Sequence, residues 1–412
     1  MQSNKTHWAS LLTLIIFGFG ILLLVLLAGL LALGSIFDLF TGATDPVSGI
    51  ISAFAMGAVA MILMVSAWFV LQKTRGLNAA DQPFRFPFAP WLWIVIPAVT
   101  VFGILFGGLV TLAELQWLSW IFLPILTLLV VLPPIWLFLG IASNGIELGP
   151  RWRFFTILGL GLSVGPFMMM VAEIVMLAVL IVAGAVYISF AHPDVVNELN
   201  AIVGMMNTNM DENAILSVLS PYLTNPAVIA IGMGYIALLV PLVEELLKPL
   251  AVWLFAKSID SPAQGFALGV ISGGAFAIFE SLNASSNGTT SWAIIVTART
   301  GTTALHMVTS GLVGWGIASA FKERRIGRLL AAYISAVLVH GLWNASTFGI
   351  AIASLGESVG RPEWIYRYAP AFLGGLVVMA VGIIAVLALS NRKLRKQLEA
   401  PHIEQESVES NA

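Results

Sequence analysis

Ten apolar runs, each long enough to cross a lipid bilayer, constrain this chain more than any other feature. About 20 residues of α-helix span the hydrocarbon core, because each residue rises ~1.5 Å. Runs of that length lie near 8–34, 48–72, 90–113, 116–142, 155–189, 226–256, 262–284, 291–320, 329–354 and 369–390. In lipid every backbone N–H and C=O must find a partner within the protein, and a helix satisfies its own. The expected fold is all-α, a polytopic transmembrane helix bundle of about ten spans. The first run exceeds the ~7–15-residue core of a signal peptide and reads as a retained helix. The runs at 155–189 and 226–256 are longer than a crossing needs, so they must tilt, bend or project. Pro241 and Pro249 put a bend in the second of them.

Composition narrows the function classes. Of 412 residues 59% are hydrophobic and 10% charged, where a soluble domain carries about 25% charge. The 19 Lys and Arg against 21 Asp and Glu give a net charge of −2, too few basic groups for a surface that tracks phosphates, so no nucleic-acid partner is expected. The chain has no cysteine. That excludes disulfides, thiolate nucleophiles and Cys-ligated zinc or iron–sulfur centres. No GxGxxG or GxxxxGK[ST] phosphate loop and no fixed-period repeat is present.

Ten crossings leave both termini on one side, and the basic residues choose the side. With cytoplasmic termini, 15 of the 19 basic residues, from Lys5 to Lys396, fall inside and only Arg361 and Arg367 outside. The expected protein is thus an integral multi-pass membrane protein with both ends cytoplasmic. Its expected organisation is a five-helix membrane region at 1–190, an extracytoplasmic loop at 191–225, a polar membrane domain at 226–390 and a cytoplasmic tail at 391–412. The loop reads as a solvated linker with some helix. The tail is basic near the membrane, then acidic and polar, and reads as disordered.

Six ionisable residues lie inside the expected spans: Glu173, Glu244, Glu245, Lys248, Glu280 and Arg299. His306 and His340 join them. A charge at mid-bilayer costs about 2.5–3.5 kcal/mol even on the lenient insertion scale, so such groups must meet one another or water. Seven of the eight fall between 226 and 354, and only Glu173 lies in the first five spans. Helical spacing then sorts them. Glu244 and Lys248 stand at i and i+4 and share a side, with Glu245 about 100° around the axis. Phe276 and Glu280 are one turn apart, on a helix whose Gly265, Gly269 and Gly273 form a ridge that admits a close neighbour. Arg299, Thr302, Thr303 and His306 form one stripe, and His340 and Asn344 another.

Each element alone has a plain structural explanation. A Glu–Lys pair in a membrane helix is often only an ion pair, a lone histidine is more often packing than catalysis, and an asparagine is commonly interhelical glue. Their joint appearance on four neighbouring helices points instead to a shared functional site. Glu and His are the usual general bases, and burial brings their protonation toward neutral pH, where water activation works. Two His and a carboxylate are also the ligands of several hydrolytic zinc sites. The H-E-x-x-H helix motif is absent, so a metal would need ligands from different helices. His340 and Asn344 alternatively suit an oxyanion. No G-x-S-x-G nucleophile elbow occurs.

At these residues the chain resembles the PrsW family of intramembrane proteases, within the wider group of CAAX prenyl endopeptidases and bacteriocin-processing-like homologues. The carrying motifs are E-E-x-x-K (Glu244, Glu245, Lys248), F-x-x-x-E (Phe276, Glu280), R-x6-H (Arg299, His306) and H-x-x-W-N (His340, Trp343, Asn344). They cover about 225–355. The prenyl-endopeptidase branch has E-E-x-x-x-R and F-x-x-x-H, so Lys248 and Glu280 depart from it toward PrsW. The resemblance implies an endopeptidase acting on membrane-anchored protein substrates, such as anti-sigma factors. By the same resemblance the catalytic set is Glu244, Glu245, Glu280, His306, His340 and Asn344, with Lys248, Arg299 and Phe276 in support. Glu244 activates water, Lys248 keeps one of the paired acids ionised, and Glu280, His306 and His340 are candidate ligands for a divalent metal such as zinc. A metal-free glutamate mechanism fits the same set. Two rival readings use the same cluster: a proton-coupled transporter, and a non-catalytic membrane scaffold that kept the polar core for packing. Confinement of the cluster to one half counts against the paired repeats of a transporter.

Overall fold

The computed structural model describes residues 8–42, 45–206, 212–359 and 363–409. Its helices along the chain are α1 (Trp8–Thr41), α2 (Pro46–Thr74), α3 (Asn78–Asp81), α4 (Leu92–Leu112), α5 (Gln116–Ser143), α6 (Arg151–Leu162), α7 (Val164–Ala191), α8 (Pro193–Met206), α9 (Glu212–Leu223) and α10 (Pro226–Gly234). A π-helical turn, Tyr235–Leu239, leads into α11 (Val240–Leu247), α12 (Leu250–Phe255), α13 (Pro262–Ala284), α14 (Trp292–Glu323), α15 (Ile326–Val359) and α16 (Glu363–Glu409). No strand is formed among the described residues. Ten segments of these helices are long and apolar enough to cross a membrane, in the places the hydropathy predicts.

Local chemistry explains several boundaries. Three helices begin with a polar cap followed by proline at the first helical position, where a missing N–H costs nothing. Asp45 accepts from the amide of Val47, Asn225 from that of Ala227 and Ser261 from that of Gln264. The two overlong runs are both broken. The first divides at Ser163 into α6 and α7. The second is interrupted by the π turn and again at Lys248–Pro249, where the proline, lacking a donor, ends the regular ladder and caps α12.

The chain forms two compact units. One comprises Met1–Pro166, Glu245–Ala336 and Gly382–Ala412, the other Phe167–Glu244 and Val337–Val381. The core of the first unit is the α13–α14 pair, whose buried faces meet through the glycine ridge. A Cβ on Gly269 would run into the carbonyl of Ser310, and one on Gly273 into that of His306. Larger residues would push the two axes apart and carry their polar groups with them. Helices α2, α5 and α6 surround this pair, while α1 and α4 turn rows of exposed Leu, Ile, Val and Phe outward, the surface that lipid requires.

The chain after Asn391 differs from the disordered tail that its composition suggests. Helix α16 continues to Glu409, and its first part beyond the span is anchored. Asn391 is buried and donates to the carbonyls of Ala142 and Asn144, and Leu394 is buried as well. In the second unit, α8 and α9 occupy the stretch read as a loop.

Candidate active site

In the first unit a line of charges runs from α11 to α14. Lys248 sits in the turn after α11, and its side chain is completely buried. It donates to Glu245 Oε1 at 2.8 Å and lies 2.7 Å from His306 Nδ1. An ammonium group has no lone pair, so Nδ1 must accept and the imidazole proton stands on Nε2. That nitrogen is 2.6 Å from Glu280 Oε2, which also meets Arg299 Nη2 at 2.6 Å. Two carboxylates, two cations and one neutral histidine leave no net charge, which is how the cluster is tolerated in an apolar helix pair.

The surrounding groups hold this line in place. Ser272 on α13 donates to the Lys248 carbonyl at 2.6 Å and fixes the turn. The Phe276 ring stands edge-on to His306 with centroids 5.0 Å apart, and Lys248 Nζ lies 4.9 Å from its centre. Arg299 Nε donates to Ser281, whose hydroxyl contacts Thr303 at 3.1 Å. Spacing alone puts Lys248 on the side of Glu244; the structure gives it an ion pair with Glu245, three residues before it. The cause is the helix end at Leu247, since the i,i+4 rule holds only while the helix continues. Ser272 and Ser281 carry no signal in the sequence beyond lying on the ridge helix, and only the packing reveals them.

In the second unit Glu244 on α11 faces His340 on α15. Both are buried, and Glu244 Oε2 lies 3.9 Å from His340 Nε2. That is too long for a hydrogen bond and long enough for one bridging atom, a water oxygen or a cation, lying off the line between them. The H-x-x-W-N helix is pinned to the π turn just before α11. Asn344 Nδ2 donates to the Ile236 carbonyl at 3.1 Å, and Gly341 lies so close to the Ala237 carbonyl that any side chain there would collide. A π turn widens the backbone and is found disproportionately at functional sites. Here it sets the rotation of α11, and with it the direction of Glu244. Glu173, which matches no motif, receives at its main-chain oxygen a hydrogen bond from Tyr235 within this same turn.

The two pairs differ as metal donors. Zinc takes nitrogen and oxygen ligands at about 2.0–2.2 Å, so two ligands of one ion stand well over 3 Å apart. The Glu244–His340 separation matches that requirement, and the donor types are right. The His306–Glu280 pair is hydrogen-bonded at 2.6 Å, and Nδ1 of His306 is already met by Lys248, so only Nε2 is available to ligate, once Glu280 moves aside.

The family model for PrsW family intramembrane metalloproteases matches residues 149–386. The match is wider than the motif-bearing stretch and takes in the fifth span with Glu173. No curated protein and no solved structure matches the chain. Since the family match covers more than half of the chain and every motif residue from Glu244 to Asn344, the protein belongs to the PrsW family of intramembrane metalloproteases.

Proposed function

We propose that this protein is an endopeptidase that cuts membrane-anchored, single-pass proteins with water activated by Glu244. The observation that carries the reading is the buried Glu244–His340 pair, whose 3.9 Å gap suits one bridging water or ion. Glu244 takes a proton from that water as the water oxygen bonds to the scissile carbonyl carbon, His340 donates a hydrogen bond to the developing oxyanion, and Glu244 returns the proton to the leaving amine as the C–N bond breaks. Asn344 and the π turn orient Glu244. Lys248 keeps Glu245 ionised, and the Lys248–His306–Glu280–Arg299 line supplies a route for charge and proton within the lipid.

We take the two groups to serve one reaction. The support is the chain itself: Glu244 and Glu245 are consecutive residues of α11, with Cα atoms about 3.8 Å apart. A divalent cation, when bound, would be held by Glu244 and His340, and would polarise water and carbonyl as a Lewis acid. The expected orientation has both termini in the cytoplasm, on the strength of the basic-residue bias. An anti-sigma-factor-like protein is the substrate class that the family resemblance suggests.

The test is cleavage of a single-pass reporter by the full chain in liposomes. Glu244→Gln and His340→Ala should each lower turnover by about 10²–10⁴ while the protein melts normally. Removal of metal by a chelator should abolish cleavage, and zinc should restore it. Undiminished cleavage in both variants would refute the proposal, and ion-driven uptake with the reporter left intact would make the same groups a transporter's relay.

A further inference from the structure

Apart from the Glu/His groups, the first unit contains a cavity of about 840 Å³ at the start of α4, the end of α5 and the middle of α16. Its charged lining is Arg85, Arg392 and Arg395 against a single acid, Glu147, with Phe88 and Trp93 among its walls. The cavity is built by specific contacts. Asn391 ties α16 to the carbonyls of Ala142 and Asn144. Gly145, at φ +71°, leaves room for Arg395, whose stem a side chain there would strike. The Phe88 ring lies directly over Gly140. No step of the proposed peptidase chemistry uses any of these residues.

We propose that this cavity is a binding site for a phosphoryl anion, and specifically for the headgroup of an anionic phospholipid. Three guanidinium groups around one space match phosphate, because each presents a planar fork of donors and stays charged at any physiological pH. The volume lies in the range of small-molecule sites and greatly exceeds what bare phosphate fills, leaving space for a glycerol backbone beside the aromatic rings. The place fits too. Trp93 stands at the start of the Leu92–Leu112 segment and Arg392 and Arg395 in the last turns of the Arg367–Leu398 segment, just beyond its apolar run, and tryptophan and basic side chains gather where helices leave the hydrocarbon. The basic bias assigns this end of the spans to the cytoplasmic leaflet, which carries anionic lipid.

The test uses the delipidated full chain in detergent micelles, with dioctanoyl phosphatidylglycerol, dioctanoyl phosphatidylcholine and inorganic phosphate as probes and native mass spectrometry as the readout. Phosphatidylglycerol should be retained at least tenfold better than phosphatidylcholine. Arg85→Gln and Arg392→Gln, both at exposed positions, should each weaken that retention about fivefold. Glu147→Gln should strengthen it, an effect of opposite sign that a folding defect cannot imitate. Displacement of the lipid by millimolar phosphate would identify a free phosphoryl anion as the occupant, and failure to displace it would identify the lipid; both outcomes uphold the phosphoryl site. Equal retention of the two lipids without phosphate binding, or retention indifferent to all three substitutions, would overturn it.

Discussion

At the scale of single residues, the chemistry of the site depends on which atom of each side chain is already engaged. Lys248 illustrates this. Its ammonium holds Glu245 and faces His306 Nδ1, and so determines which nitrogen of His306 carries the proton. Lys248→Met removes one cation from a buried line of charges and takes from Glu245 the ammonium that it meets at 2.8 Å. Breaking a buried pair in this way typically costs about 3–5 kcal/mol, so a melting temperature lower by several degrees is expected in detergent, together with lost cleavage. Melting at the wild-type temperature would show that the Lys248–Glu245 pair does not stabilise the fold. The residue types of the site, and their grouping on four helices, were legible in the sequence because charges in an apolar run have few reasons to exist. The partner of Lys248 was not, since a helix that stops at Leu247 changes the geometry by which spacing is read.

At the scale of elements, the glycine ridge of α13 and the H-x-x-W-N face of α15 perform the same task by different means. Each allows a neighbouring backbone to come close, at the Ser310 and His306 carbonyls in one case and the Ala237 carbonyl in the other. The ridge can be read from its i,i+4 spacing. The π turn at Tyr235–Leu239 cannot, because Tyr-Ile-Ala-Leu-Leu suits a regular helix equally well and only its neighbours select the wider form. Asn344 is the side chain that holds it. Asn344→Ala should therefore reduce kcat tenfold or more with KM little changed, through misdirection of Glu244, and amide exchange at 235–239 should quicken. A normal kcat would mean that the turn is set by packing alone.

For the molecule as a whole, the ten spans follow from hydropathy, and the helical continuation beyond Asn391 does not. Composition makes that tail resemble a solvated segment, yet two buried side chains, Asn391 and Leu394, are enough to fasten its start. The proposed orientation rests on charge: with cytoplasmic termini, 15 basic residues would fall on the inner side of the membrane and two outside. The natural absence of cysteine makes the test direct. A single cysteine at Gln397 should resist an impermeant maleimide in intact cells and react once the membrane is opened, whereas one at Ser217 should react from outside. The reverse pattern would invert the topology and place the arginine-lined cavity in the outer leaflet.

Central to the proposed function is that the Glu244–His340 and His306–Glu280 pairs act as one catalytic unit. The decisive measurement is a double-mutant cycle on kcat with Glu244→Asp and Glu280→Asp, changes that shorten each carboxylate without removing its charge. Residues that act as a unit lose activity non-additively, so the double variant should be little slower than the worse of the two single variants. Losses that multiply would show two independent groups and contradict the single centre.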